Sequence, residues 1–294
     1  LRGLLIEIRP SQWTKNFVLF AGLVFSKSAL DPALGLKSLL GFICFCLGSG
    51  AIYIINDITD REKDRLHPVK RNRPIASGEL KPGVAGGWAL GLIVLSTALA
   101  FYLGASFLTV FLIFLGLNVA YSFKLKQIMG LDVLLIAVGF VLRAIAGVEV
   151  LVPAQPDIEI SPWLLVCTLF LALFLGLGKR RAELAQLEQD AERHRKSLAN
   201  YSLPLLNQMI AMVSAATVIS YSIYTISPAT VQKFHTQNLV YTIPFVVYGL
   251  WRYLYLVFEK EGGGNPSEVL LTDVPLLVNV VLWVLVAAAV LYLS

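Results

Sequence analysis

Long apolar runs separated by short polar stretches repeat along almost the whole chain. They fall near residues 36–55, 83–104, 106–122, 132–150, 162–178, 204–226, 237–258 and 274–293, with a weaker one at 17–30 that Ser26, Lys27 and Ser28 interrupt. A helix needs roughly 20 residues to cross a hydrocarbon core of about 30 Å, so the pattern predicts about nine transmembrane helices. The runs are continuously apolar, whereas membrane β-strands alternate, and a helix satisfies its own backbone polar groups in lipid. The expected fold class is therefore an all-α membrane bundle, a single integral-membrane domain over residues 1–294.

Composition agrees: 57% of residues are hydrophobic and 15% charged, with a mean hydropathy of +0.72, against about a quarter charged in soluble domains. Charge also sets an orientation. With the N-terminus inside, Arg2, Arg9, Lys15 and the basic residues of the stretches 56–81, 121–132 and 179–201 all lie on one side. The other side holds Lys27, Lys37 and Lys233, and Arg143 lies within a span. By the positive-inside rule the N-terminus and the three stretches are cytoplasmic, in the plasma (inner) membrane. The net charge of +5 thus argues for membrane lipids and phosphorylated substrates as partners, and against nucleic acid. Cys44, Cys46 and Cys167 fall within spans without metal-ligand spacing and read as buried small hydrophobes.

The stretch 56–81 concentrates the chemistry. Asn56, Asp57, Asp60 and Asp64 recur at helical spacing, with Asp57 and Asp64 within roughly 20° of each other and Asp60 on the adjoining edge. Three carboxylates on one face repel, and a divalent cation relieves them; oxygen-only ligands favour Mg²⁺, bridging to substrate phosphates. Lys70, Arg71 and Arg73 follow, so acid face and basic loop together make a clamp for a metal diphosphate. The same spacing also fits a solvated helix extension whose acids pair with Arg61, Lys63 and Arg65. His67, followed by Pro68, reads as a turn residue.

The stretch 121–132 offers Tyr121, Lys124, Lys126 and Asp132, or is an ordinary short loop with an interfacial tyrosine. The stretch 179–201 opens with Lys179, Arg180, Arg181 and Glu183, and its middle reads as a polar surface helix. Arg143 lies about 11 residues beyond Asp132, on nearly the same helix face and roughly 16 Å deeper. A charge at that depth faces a polar cavity or donates to backbone carbonyls.

These residues resemble a known family. Asn56-Asp57-x-x-Asp60-x-x-x-Asp64 with Lys70-Arg71-x-Arg73-Pro74 is similar to the first aspartate-rich motif of the UbiA superfamily of intramembrane prenyltransferases, and the span count matches over essentially the whole chain. The resemblance implies a central polar cavity open to the cytoplasm, where Asp57, Asp60 and Asp64 hold Mg²⁺ on a diphosphate. Most members carry a second motif of two or three aspartates, whereas the matching region here supplies Asp132 alone, which argues against an ordinary polyprenyl diphosphate donor. The strings "RPSQWTKN", "HPVKRNRPIASG", "GFVLRAIAG" and "GKRRAEL" resemble the branch of decaprenyl-phosphate phosphoribosyltransferases. That branch joins 5-phosphoribosyl from phosphoribosyl diphosphate to a polyprenyl phosphate, on the way to cell-wall arabinan. The resemblance implies that Lys15, Lys70, Arg71, Arg73, Lys124, Lys126, Lys179, Arg180 and Arg181 supply the phosphate contacts. Tyr121, Glu183 and Asn56 are then left for ribose hydroxyls or metal orientation, and Asp132 and Arg143 line the substrate site.

Overall fold

The computed structural model describes residues 2–158, 160–187, 198–260, 264 and 266–293, and among these the regular elements are all helical. They form two compact units, Leu1–Lys126 with Leu142–Ile160, and Gln127–Val141 with Ser161–Ser294.

In the first unit α1 (Arg2–Glu7), a 3₁₀ helix (Pro10–Leu19) and α2 (Phe20–Phe25) lead to the long α3 (Pro32–Thr59). The start of α3 is set by its sequence: the Asp31 carboxylate accepts the Ala33 and Leu34 amides at 2.8 and 3.2 Å, and Pro32 takes the first helical position. Then come α4 (Arg61–Leu66), a 3₁₀ turn (Lys70–Asn72), α5 (Pro74–Ser77), α6 (Pro82–Leu103) and α7 (Ala105–Phe123). The division between the units falls inside α8 (Leu131–Glu149), whose later part belongs here. Phe45 of α3 anchors the core, its ring 5.2 Å from Phe111 and 4.8 Å from Phe114 of α7.

The weak run at 17–30 does not become a spanning helix. It finishes the 3₁₀ segment, makes the six-residue α2 and breaks at Lys27, whose φ is 59°. Six residues rise only about 9 Å. Eight helices among the described residues are therefore long and apolar enough to cross a membrane, one fewer than the hydropathy pattern suggests. The short segment is pinned by bare backbone: a Cβ on Gly147 would lie 2.0 Å from the Leu19 carbonyl oxygen, and one on Gly22 would lie 2.2 Å from that of Gly147.

The second unit holds the start of α8, then α9 (Pro162–Leu187), a 3₁₀ turn (Leu198–Asn200), α10 (Leu203–Ile226), α11 (Pro228–Phe234), a 3₁₀ turn (Asn238–Thr242), α12 (Ile243–Phe258), α13 (Pro266–Thr272) and α14 (Val274–Leu293). Val133, Phe174, Leu177, Leu206, Ile210, Leu250 and Tyr253 form its core. Polar groups in this unit pair with one another, as lipid favours: the Trp283 indole donates to the Tyr221 hydroxyl at 3.0 Å, which lies 2.7 Å from that of Thr242. Large apolar side chains such as Phe101 (74% exposed) and Trp251 (66%) point outward. This multi-pass chain presents them to lipid.

Candidate functional site

The acid motif does not lie on one continuous helix. α3 ends at Thr59, Asp60 takes a non-helical conformation (φ −95°, ψ 5°), and α4 restarts at Arg61. Asp57, on the last turn of α3, and Asp64, on α4, are both buried. They converge on one cation: Nη1 of Arg73 donates to Asp57 Oδ1 at 2.9 Å and to Asp64 Oδ2 at 2.7 Å. Arg9 closes the other side of Asp57, its Nη2 2.6 Å from Oδ1. Arg9 itself sits in the left-handed region (φ 50°), an uncommon place for a side chain of its size, with its guanidinium 4.9 Å from the centre of the Tyr53 ring.

Asp60 turns elsewhere, 2.6 Å from Lys126 Nζ and 3.9 Å from Lys63 Nζ. Arg61 and Arg65 donate to the backbone carbonyls of Ile75 and Ala76, so they hold α5 rather than neutralise the motif acids. His67 caps its turn, Nδ1 accepting the Val69 and Lys70 amides, as the sequence suggests. Arg71 and Lys124 are exposed, and Asn56 and Tyr121 are partly buried.

One member of this cluster is absent from the sequence reading. Glu7, buried on α1, accepts the Ile75 amide at 2.9 Å and neighbours Asp57. Burial first, then the neighbouring Asp57, push its carboxyl up to about 7. Its signal in the sequence is a lone acid among apolar neighbours, "LLIEI".

Deeper in the first unit, Nε of Arg143 donates to Asn16 Oδ1 at 2.7 Å, and Asn16 Nδ2 reaches Cys46 Sγ at 3.2 Å. The Arg143 guanidinium lies 4.6 Å from the Phe114 ring centre. Lys15 is partly buried beside Arg143 and Arg9; desolvation, then those two cations, bring it down to about 8.

The second unit has its own charged cluster. Asp132, on the first turn of α8, is fully buried and uses both oxygens: Oδ2 accepts from Arg180 Nε at 2.9 Å and Oδ1 from the Tyr201 hydroxyl at 2.7 Å. Tyr201 in turn accepts the Gly130 amide at 2.8 Å. Burial, then Asp132, push its phenol up to about 12. Arg180 also pairs with Glu183, whose other oxygen lies 3.8 Å from Lys179 Nζ. Arg181 leaves this group, donating to Asn207 and the Val257 carbonyl and stacking on Phe258 at 3.8 Å. The middle of the stretch 179–201 lies outside the described residues.

A Mg²⁺ ion takes hard oxygen ligands, commonly one or two carboxylates completed by substrate phosphates and water. Asp57 and Asp64 fit that requirement because their oxygens are already aimed at a single cationic nitrogen. A three-carboxylate cage, the sequence expectation, is not formed: among the described residues no group of three His, Cys, Asp or Glu side chains is placed to hold a metal. The physical reason is the break at Asp60, which frees that carboxylate to meet Lys126.

The family model "UbiA prenyltransferase family" matches residues 16–267. The chain belongs to that family. Decaprenyl-phosphate phosphoribosyltransferase from Corynebacterium glutamicum is 34% identical over 99% of this chain and 87% of its own length. The protein of the same name from Mycolicibacterium smegmatis is 33% identical over 99% and 93%. Among solved structures, a UbiA homologue from Archaeoglobus fulgidus bound to GPP and Mg²⁺ superposes with a TM-score of 0.75 at 20% identity, covering 98% of this chain and 99% of the other. That likeness establishes a shared UbiA fold, and the sequence relatives establish a transferase.

Proposed function

We propose that this UbiA-family transferase moves the 5-phosphoribosyl group of phosphoribosyl diphosphate onto a polyprenyl phosphate such as decaprenyl phosphate, releasing diphosphate. The product would feed the cell-wall arabinan. The observation that carries the reading is an asymmetry: one convergent acid pair stands in the first unit, while the acid of the second is committed to Arg180 and Tyr201. One metal-binding acid pair with several separate cations suits a water-soluble donor with phosphate at both ends and a lipid acceptor with a phosphate head. It suits two-metal activation of a prenyl diphosphate less well.

In this reading Asp57 and Asp64 hold Mg²⁺, which when bound neutralises the diphosphate and makes it a better leaving group. Arg9 and Arg73 orient those carboxylates and, with Lys70 and Lys126, furnish cations for phosphate oxygens, the arginines being suited to two-point contacts. The bond between ribose C1 and the diphosphate oxygen breaks, positive charge develops on the sugar, and an oxygen of the lipid phosphate forms the new bond from the opposite face. Inversion at C1 follows. No general base is required, because a phosphate is already anionic at neutral pH. The positive-inside pattern supports siting this chemistry at the cytoplasmic face of the inner membrane, with the polyprenyl chain along apolar helix surfaces.

The test supplies purified protein in liposomes with labelled phosphoribosyl diphosphate, polyprenyl phosphate and Mg²⁺, with Asp57→Asn alongside. Label in the organic phase that depends on Mg²⁺ and on Asp57 supports the proposal. Consumption of a polyprenyl diphosphate with an aromatic acceptor, and no labelled lipid, overturns it in favour of the family's prenyl transfer.

A further inference from the structure

Both arginines that grip Asp57 stand two residues from one buried hydrogen bond, in which Glu7 Oε1 accepts the Ile75 amide at 2.9 Å. Arg9 follows Glu7 by two positions and Arg73 precedes Ile75 by two. Glu7 and Ile75 are 1% and 0% exposed, so water cannot stand in for either partner. The contact closes a ring of Glu7, Arg9, Asp57, Arg73 and Ile75 from chain segments 68 residues apart.

The local sequence explains why this hydrogen bond comes from a distance. Arg73 is the N-cap of α5, and Pro74 takes the first helical position. An N-cap is commonly Ser, Thr, Asp or Asn, whose short side chain accepts an amide of the first turn. A guanidinium carries donors only, and Arg73 makes no such bond. It reaches Asp57 and Asp64 instead, from an extended backbone (φ −66°, ψ 142°) that a following proline favours. Pro74 has no N–H, so the first amide of α5 is that of Ile75, and Glu7 caps it. The carbonyls of Ile75 and Ala76 are held separately, by Arg61 and Arg65 of α4.

On the other side of the ring, Glu7 ends α1 and Ile8 rests on bare backbone: a Cβ on Gly50 would lie 3.1 Å from the Ile8 Cβ. Arg9 then turns through φ 50° and meets Asp57. At the start of α1, a Cβ on Gly3 would lie 3.3 Å from the Pro74 Cβ. α1 is thus seated close to α5 at both ends, and Glu7 is the polar contact that fixes their register.

We infer that Glu7 is a positioning residue for the acid pair, setting by the length of its side chain where Arg9 and Arg73 stand on Asp57. The inference rests on the reading of Asp57 and Asp64 as the diphosphate site. Reach, rather than charge, is the operative property. Glu7→Gln presents an acceptor at the same distance, whereas Glu7→Asp keeps the charge on an arm one methylene shorter and must either lose the Ile75 amide or draw α1 toward α5. Each of those outcomes displaces an arginine.

The test titrates inorganic diphosphate with Mg²⁺ into the full-length protein by calorimetry and measures transfer on the same samples. Glu7→Leu should weaken diphosphate binding about tenfold and Glu7→Asp severalfold, with Glu7→Gln within about twofold of the parent. With Arg9→Met already in place, Glu7→Leu should add less than it does alone, because the two act through one contact. Phe111→Leu, a core change elsewhere in the first unit, should lower stability and leave diphosphate affinity as it was. If Glu7→Leu does not elute as a monodisperse protein, the contrast of Glu7→Asp with Glu7→Gln carries the test. Binding unchanged in Glu7→Leu or Glu7→Asp, equal loss in Glu7→Gln, full additivity with Arg9→Met, or an equal loss in Phe111→Leu overturns the inference and leaves the transfer reading intact. Glu7-dependent diphosphate binding without labelled lipid removes the transfer reading and leaves the positioning role. A parent protein that binds no diphosphate overturns both.

Discussion

Two aspartates of this chain are held by arginines, and they are held differently. Asp57 in the first unit is gripped by Arg9 and Arg73, side chains still 25% and 29% exposed, and Arg73 is shared with Asp64. Asp132 in the second unit is gripped by Arg180 at 2% exposure, with Tyr201 on the remaining oxygen and nothing of Asp132 in contact with solvent. The first arrangement is a set of cations within reach of water and of an incoming phosphate. The second is closed and fully satisfied, which is how a buried ion pair becomes part of a scaffold. An acid count alone assigns both residues to chemistry; their partners distinguish a reachable acid pair from an enclosed one.

Substitutions can break that contrast. The largest effect is expected for Asp57→Asn, which should lower transfer by roughly 100-fold or more, in the range for loss of a preorganised electrostatic group, while the variant still purifies as a folded protein. Should Asp57→Asn instead lower stability while the folded fraction keeps its specific activity, the roles assigned to the two aspartates are exchanged. Arg180→Ala is expected to act on stability, removing about 3–5 kcal/mol by stranding a buried carboxylate; reversible unfolding in mixed micelles measures it. The paired change Asp132→Leu with Arg180→Leu should recover much of that loss.

A smaller effect concerns Lys15, whose ammonium is brought down to about 8 from an ordinary 10.5. A base lowered on folding binds fewer protons in the native state, so its contribution is present above pH 10.5 and is lost as pH falls through about 8. Thermal stability should therefore climb between those values, and Lys15→Met should flatten the climb in a pH series. The smallest effect is expected at Glu7: Glu7→Gln keeps an acceptor for the Ile75 amide and a donor toward Asp57, so stability should change by no more than about 1 kcal/mol. Glu7→Leu, which keeps neither, sharpens the comparison.

Much of the fold was legible. The eight helices among the described residues that are long and apolar enough to span all coincide with apolar runs of the sequence, because continuous hydrophobicity is what lipid demands of a helix. The run at 17–30 misleads because composition does not register where a backbone breaks, and Lys27 breaks it. Within the site, the spacing of Asp57 and Asp64 correctly pairs them, although the agent is Arg73 rather than helical phase. Asp60 with Lys126, Glu7 with Asp57 and Tyr201 with Asp132 are contacts across 50 to 69 residues of chain, and local periodicity carries no information about them. Arg180 and Arg181 show the converse: adjacent basic residues read alike, yet the roughly 100° between them on a helix sends one to Asp132 and the other to the Val257 carbonyl.

The first unit is discontinuous in sequence, and that has a bearing on how the protein is made. A ribosome that has delivered everything up to Lys126 has not delivered Leu142–Ile160. At that moment Asn16 lacks Arg143, and Leu19 lacks the bare Gly147 backbone against which it rests. The amino-terminal helices can thus enter the bilayer one after another, but their mutual fit waits for α8 to follow. Cutting the gene after Lys126 would yield no autonomous half, whereas co-expressing that piece with the remainder is a fair trial of whether the late segment can find its place from a separate chain.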